Sequence, residues 1–285
     1  MALPVPALRR LQALIRLSRP LNCLITALSV VVGGLSAGAS LPPAGVWWAA
    51  LAAALIAGGG NALNDLADLE IDRINRPERP LPAGALGRPA ALLLSLLLLL
   101  GGIGLARWQG EALGAVALAV AAGLVLYDLW LKRTPLWGNL LVSALAAAAF
   151  PFGALALGQL GRAWIPTGFA FLFHLGREIV KDLEDVEGDQ AQGARTLPLR
   201  AGAALAARLA AALLLALLAF TWWPFLAGVY RWPYLLPVAG VDALLLWTAW
   251  RLLRDRTALA TARLGRHLKW GMLLGLLAVV AGEFG

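Results

Sequence analysis

Two acidic stretches carry the residues best suited to chemistry. The first runs Gly60 to Asp72 and contains Asn64-Asp65-Leu66-Ala67-Asp68-Leu69-Glu70-Ile71-Asp72. At ~100° per residue on an α-helix, with Asn64 at zero, Asp65 falls at ~100°, Asp68 at ~40° and Asp72 at ~80°, so all four share one face. In the second, Gly176 to Asp189, Glu178, Asp182, Asp185 and Asp189 fall within about 60° of one another on the same helical geometry. Carboxylates stacked in this way repel one another, and beside a membrane the repulsion is poorly screened. A divalent cation relieves it. Mg²⁺ suits oxygen ligands and is usually held by one or two carboxylates together with substrate phosphates. Two acidic stripes therefore predict two Mg²⁺ ions with a diphosphate between them.

The rest of the chain must position those stripes inside a bilayer. Of 285 residues, 60% are hydrophobic and 14% charged, and the mean hydropathy is +0.76, outside the range of a soluble domain. Apolar runs of spanning length are predicted at about 21–38, 44–64, 89–106, 111–131, 136–157, 163–180, 203–225, 234–252 and 268–284. The expectation is an all-α, polytopic bundle of nine transmembrane helices around a central cavity, forming one domain over 1–285. With the N-terminus inside, every lysine and arginine except Arg107, Arg162 and Arg231 falls on the inner side, as the positive-inside rule requires. That orientation puts the N-terminus and both acidic islands in the cytoplasm and the C-terminus outside the cell membrane. The same topology accounts for the net charge of +8, which is spread over short loops with no aromatic recognition motif, so no nucleic-acid partner is expected.

Two inner loops stand out. Pro77, Pro80 and Pro82 with Gly84 make 76–84 an irregular, stiff segment suited to capping a site. After the second island, Gly188 and Gly193 are expected to break the helix. The islands lie four helices apart, a spacing that hints at an internal duplication of a helical unit. Cys23, alone in an apolar run, reads as a small core residue. Asp242 reads as a hydrogen-bonding partner of an adjacent helix, and His174 as a packing residue one turn before the second stripe. Trp47, Trp48, Trp222, Trp223 and Trp232 read as interface anchors.

The paired motifs resemble those of the UbiA family of intramembrane prenyltransferases. The family's first motif, N-D-x-x-D-x-x-x-D, appears complete from Asn64 to Asp72, and its second, D-x-x-x-D, as Asp185-Val-Glu-Gly-Asp189. The resemblance spans nearly the whole chain. It implies that Asn64, Asp68, Asp72, Asp185 and Asp189 hold Mg²⁺ and a prenyl diphosphate, a choice that helical spacing alone does not make between Asn64 and Asp65. A basic pair after the fourth helix looks like Lys132-Arg133, and Arg19-Pro20 with Asn22 opens the first helix in the family's manner. The strings around both motifs look most like the branch that alkylates geranylgeranylglyceryl phosphate in ether-lipid synthesis.

On this reading the catalytic residues are Asp68, Asp72, Asp185 and Asp189, and the substrate-binding residues are Asn22, Tyr127, Lys132, Arg133 and Lys181. Lys132, Arg133 and Lys181 add fixed positive charge to a departing diphosphate, while Tyr127 shields a cationic allylic carbon. Arg73, Arg76, Arg79, Arg177 and Lys181 supply the charge that a phosphate-bearing acceptor needs. The Ala/Leu/Arg-rich composition keeps a second acceptor class in view, an aromatic acid such as 4-hydroxybenzoate or another quinone precursor. A cation-coupled transporter is the remote alternative, but transporters place their acids near the bilayer midplane on broken helices.

Overall fold

The computed structural model describes residues 7–284. Fourteen helices follow one another, with no strand among the described residues: α1 (Ala7–Ser18), α2 (Pro20–Ser36), α3 (Ala44–Ala67), α4 (Leu69–Asn75), α5 (Arg88–Gln109), α6 (Glu111–Leu129), α7 (Trp137–Ala147), α8 (Ala149–Leu155), α9 (Trp164–Glu184), α10 (Val186–Ala191), α11 (Leu197–Ala201), α12 (Ala203–Leu226), α13 (Leu235–Arg254) and α14 (Ala258–Phe284). Among the described residues seven helical segments are long and apolar enough to cross a membrane, or eight if α1 and α2, bent by 43°, count as one span. The chain is thus a multi-pass helical membrane protein. The count of nine expected from hydropathy is not reproduced by that measure, because α9 gathers Arg177, Glu178, Lys181, Asp182 and Glu184 into its last turns. Only its first 13 residues are free of charge, too few to span unaided.

Helix boundaries follow local chemistry. Pro20 opens α2, where its missing N–H costs nothing, and Arg19 before it adopts φ 52°, ψ 71°. This left-handed conformation costs a non-glycine residue roughly 1–2 kcal/mol, and the Arg19 side chain is held there by its ion pair with Asp65. Gly202, at φ +87°, separates α11 from α12.

The bundle buries small residues at close helix contacts, packs part of its leucine in the core (Leu214, Leu245, Leu252 and Leu268 are fully buried) and turns other leucines outward. Ala206, Ala207 and Ala210 are fully buried, whereas Leu97 and Leu100 are more than 60% exposed; in lipid an exposed leucine carries no penalty and small residues let backbones approach. A side chain at Gly33 would collide with the Phe150 carbonyl, and one at Gly153 with the Val30 carbonyl, so α2 and α8 cross backbone to backbone. Ser95 Oγ donates to the Gly59 carbonyl at 2.9 Å across α3 and α5, an interhelical bond of the kind worth about 0.6 kcal/mol. Asp242 accepts from Thr221 Oγ1 at 3.0 Å, joining α13 to α12 as the sequence suggested. The anchor tryptophans Trp47, Trp48, Trp222, Trp223 and Trp232 are all exposed.

Candidate active site

Each acidic island is interrupted at an aspartate. Where the sequence pattern gives one continuous helical face, α3 ends at Ala67 and resumes as α4 after Asp68 (φ −90°, ψ 2°), and α9 ends at Glu184 and resumes as α10 after Asp185 (φ −94°, ψ 5°). Hydrogen bonds from Asp68 N to Asn64 O (2.9 Å) and Asp72 N to Asp68 O (2.7 Å) still cross the first break. The stripes therefore survive as contiguous surfaces across each interruption. Gly188 is no helix breaker, contrary to expectation. It lies inside α10, and a Cβ there would sit 2.5 Å from Asn75 Nδ2 and 2.9 Å from Ile71 Cγ2, so its missing side chain is what lets α10 lie on α4. Gly193, at φ +66°, follows the end of α10 as expected.

The loop after α4 folds back over this junction. Leu81 and Leu86 are buried against Leu17, Ala62 and Leu69, which fixes Arg76 and Arg79 above the acids. Arg79 Nη1 lies 2.5 Å from Asp72 Oδ2 and 3.3 Å from Asp65 Oδ1. Arg76 joins the two islands: its guanidinium is 2.7 Å from Asp185 Oδ1, 2.6 Å from Glu184 Oε1 and 3.5 Å from Asp72 Oδ1. Lys132 forms an ion pair with Asp68 and lies 5.9 Å from the centre of the Tyr127 ring. Asn64 donates to Asp128 Oδ1 at 2.8 Å, and Asn139 donates to Asp182 Oδ2 at 2.9 Å.

Asp68, Asp72, Asp185 and Asp189 are all buried, and their electrostatics differ. Burial pushes the Asp68 carboxyl up, but Lys132, Lys181 and Arg79 outweigh it and hold it below the ordinary carboxylate range. At Asp72 burial wins over Arg79, and the carboxyl lies above that range. Burial and the neighbouring Asp185 raise Asp189 to about 6.

Beside the junction lies a cavity of about 540 Å³ whose polar wall includes Asn22, Asn61, Asn64, Tyr127, Asp128 and Lys181. The four aspartates are not on that wall; Asp72 and Asp185 are paired with Arg76 and Arg79, which are, and Asp68 with Lys132. The residues fit a metal in one respect. Asp68 Oδ1 and Asp72 Oδ1 are buried yet make no hydrogen bond, and an oxygen in that state suits a cation. Among the described residues no three His, Cys, Asp or Glu side chains are arranged to hold an ion by themselves, so an ion here would depend on substrate phosphates and water, the habit of Mg²⁺.

Of the residues expected from the sequence, Asn22, Asn64, Tyr127 and Lys181 line the cavity. Arg133 is exposed and away from the cavity wall. His174 lines the cavity and a smaller apolar pocket beneath it. The cluster of five cations expected at the mouth needs correction. Arg73 turns to the surface, 2.5 Å from Glu70, and Arg76 and Arg79 are engaged by the aspartates. Arg76 and Arg79 nonetheless line the cavity, as do Arg177 and Lys181, 3.0 and 3.6 Å from Glu178, so of the five only Arg73 lies off its wall. The sequence reading also missed Asp128 and Asn61. Asp128 carried a signal, an acid inside an apolar helix, whereas Asn61 and the bridging role of Arg76 depend on folding.

The profile of the UbiA prenyltransferase family matches residues 23–277. The digeranylgeranylglyceryl phosphate synthase of Methanopyrus kandleri is 42% identical over 95% of this chain and 99% of its own length. That of Thermococcus gammatolerans is 39% identical over 94% and 97%. A solved structure from work on digeranylgeranylglyceryl phosphate synthase in membranes superposes with a TM-score of 0.73 at 28% identity, covering 96% of this chain and 98% of that one. A UbiA homologue from Archaeoglobus fulgidus, solved with DMAPP and Mg²⁺, shares the fold at a TM-score of 0.65 and 20% identity, over 94% and 99% of the two chains.

Proposed function

The chain belongs to the UbiA prenyltransferase family, and from that premise we propose that it transfers a geranylgeranyl group from geranylgeranyl diphosphate to geranylgeranylglyceryl phosphate in ether-lipid synthesis. The observation that carries this reading is the pair of buried, hydrogen-bond-free oxygens on Asp68 and Asp72 at the meeting of two acidic helices, beside a cavity large enough for a lipid headgroup. The acceptor is chosen by the names of the relatives that match nearly end to end.

In the reaction the allylic C1–O bond of the donor breaks, an ether C–O bond forms to the acceptor hydroxyl, and that hydroxyl's proton is released with the diphosphate. Asn64, Asp68, Asp72, Asp185 and Asp189 would hold two Mg²⁺ ions, whose charge offsets that developing on the departing diphosphate. Lys132 and Lys181 add fixed positive charge next to it. Tyr127 presents its ring to the cavity, where it shields a carbon of cationic character, and the apolar walls keep water from it. The whole of 1–285 is read as one catalytic unit of nine spans, with α9 sheltered among its neighbours as the ninth. Its N-terminus and site loops are placed in the cytoplasm and its C-terminus outside, which the distribution of basic residues supports. A competition tests the acceptor: membranes given geranylgeranyl diphosphate with equal geranylgeranylglyceryl phosphate and 4-hydroxybenzoate should yield only the ether lipid. Exclusive alkylation of the aromatic ring overturns the acceptor and leaves the transfer class standing.

A further inference from the structure

Two cations on the cavity wall stand apart from its ion pairs. Glu178 is matched by Arg177 and Lys181, Glu184 and Asp185 by Arg76, Asp72 by Arg79, Asp65 by Arg19 and Asp68 by Lys132. Arg266 and Lys269, which line the same cavity from α14, form none of the ion pairs found among the described residues. Arg19 and Arg177 line the same cavity. Cations that face like charge across a cavity flanked by lipid call for an anion.

The geometry of α14 says what kind. Ala262, Gly265, Arg266, Lys269 and Met272 all line the cavity, at the three- and four-residue spacing of one helical face. Ala262 and Gly265 are small and leave room at the mouth. Deeper on the same helix, Gly275, Leu276 and Val279 line the apolar pocket that shares Met272 with the cavity. The stripe thus passes from cationic to apolar along one helix, the polarity of an amphiphile with an anionic head. Positions i and i+3 stand about 5–6 Å apart, within reach of one phosphate monoester, which carries roughly −1.5 to −2 charges at neutral pH.

We propose that Arg266 and Lys269, with Arg177 beside them, form a second anion site that binds the phosphate of the acceptor lipid, apart from the Lys132 and Lys181 side where the donor diphosphate lies. The assignment rests on the phosphate-bearing acceptor proposed above.

The test is the double variant Arg266→Gln/Lys269→Gln in detergent-purified full chain. The KM for geranylgeranylglyceryl phosphate should rise about tenfold to a hundredfold, the usual range for lost charge-assisted bonds, while the KM for geranylgeranyl diphosphate stays within about twofold. Geranylgeranylglycerol, which lacks the phosphate, should be used equally poorly by both proteins. The swap Arg266→Lys/Lys269→Arg, which keeps the charge, should recover most of the affinity. Arg254→Gln, on a residue stacked on Trp250 and off the cavity wall, should change nothing, and unchanged melting temperatures confirm folding. A rise in the donor KM alone, or an unchanged acceptor KM, overturns the site. If wild-type protein fails to alkylate the phosphate acceptor, the function proposed above is what fails. Equilibrium binding of the lipid phosphate to wild type and double variant then decides the site directly, equal affinity overturning it.

Discussion

The two acidic islands share a backbone and differ in their cations. Asp68 and Asp185 break their helices within a few degrees of the same φ and ψ, four spans apart, a likeness that the scant sequence similarity between the halves conceals. Around the first island stand Arg19, Arg79 and Lys132. The second keeps Arg177 and Lys181 at its start beside Glu178, but Asp185 relies on Arg76, lent by the loop of the first, and Asp189 is left raised to about 6 by burial and Asp185. Two helices interrupted alike thus set where the carboxylates sit, and the loop after α4 supplies Arg76 and Arg79 to neutralise Asp72 and Asp185. The first island is pre-balanced by fixed cations. The second is more dependent on what binds.

Removing divalent metal should erase the difference by disabling both islands at once. Dialysis against EDTA is expected to abolish turnover, with Mg²⁺ or Mn²⁺ restoring it and Ca²⁺ restoring little, since a larger ion with looser geometry positions a diphosphate poorly. Full activity in chelator, assayed by product mass, would sink the metal role of both islands.

Single charges should then rank the aspartates. Asp68→Asn and Asp189→Asn are each expected to lower kcat on the order of a thousandfold without loss of folded protein, because each removes a metal ligand's charge and keeps its shape. Asp65→Asn should cost about tenfold, since Asp65 serves Arg19 and Arg79, and its loss acts on catalysis through the cap. The ligand assignment is falsified if Asp65→Asn proves the most damaging of the three.

Much of this was legible beforehand because it depends on local chemistry. Hydropathy placed the helices, and the positions of Asn64, Asp68, Asp72, Asp185 and Asp189 followed from two short strings. What stayed hidden depends on the chain returning to itself. A continuous helical wheel cannot show that the helix is interrupted at Asp68, because the i to i+4 hydrogen bonds pass through the interruption. Nor can composition say that Arg73 faces out while Arg76, three residues on, links Asp72 to Asp185. Hydropathy also counted 163–180 as a span, and it cannot show that the charged last turns of α9 belong to the site.

Arg76 is where the comparison can be broken with one substitution. Arg76→Ala leaves Glu184 and Asp185 without their cation, and losing one partner of a largely buried pair costs about 3 kcal/mol. A lower melting temperature and a rate loss of about tenfold to a hundredfold are expected, with the excess melting loss partly recovered by Mg²⁺ and diphosphate, which supply positive charge to the same acids. Arg76→Lys should recover the charge and miss the two-pronged geometry. A double-mutant cycle with Asp185→Asn should show strong coupling; additive effects would detach Arg76 from the second island.

The smallest expected effect is at Arg133, the second member of the basic pair that follows α6. Sequence gave Lys132 and Arg133 one role, but they occupy a single turn of 3-10 helix, Leu131–Arg133, in which successive side chains point ~120° apart. That turn sends Lys132 inward to Asp68 and leaves Arg133 exposed, with its backbone carbonyl accepting from Arg195 N at 2.9 Å. An exposed charge at a membrane surface contributes little beyond topology. Lys132→Ala should therefore lower kcat about a hundredfold, whereas Arg133→Ala should stay within about twofold, since its backbone contact survives the substitution. Equal losses at the two positions, read from kcat with saturating donor, would mean that the turn reorganises when the donor binds and that Arg133 swings onto the diphosphate. The first island would then be as dependent on its ligand as the second.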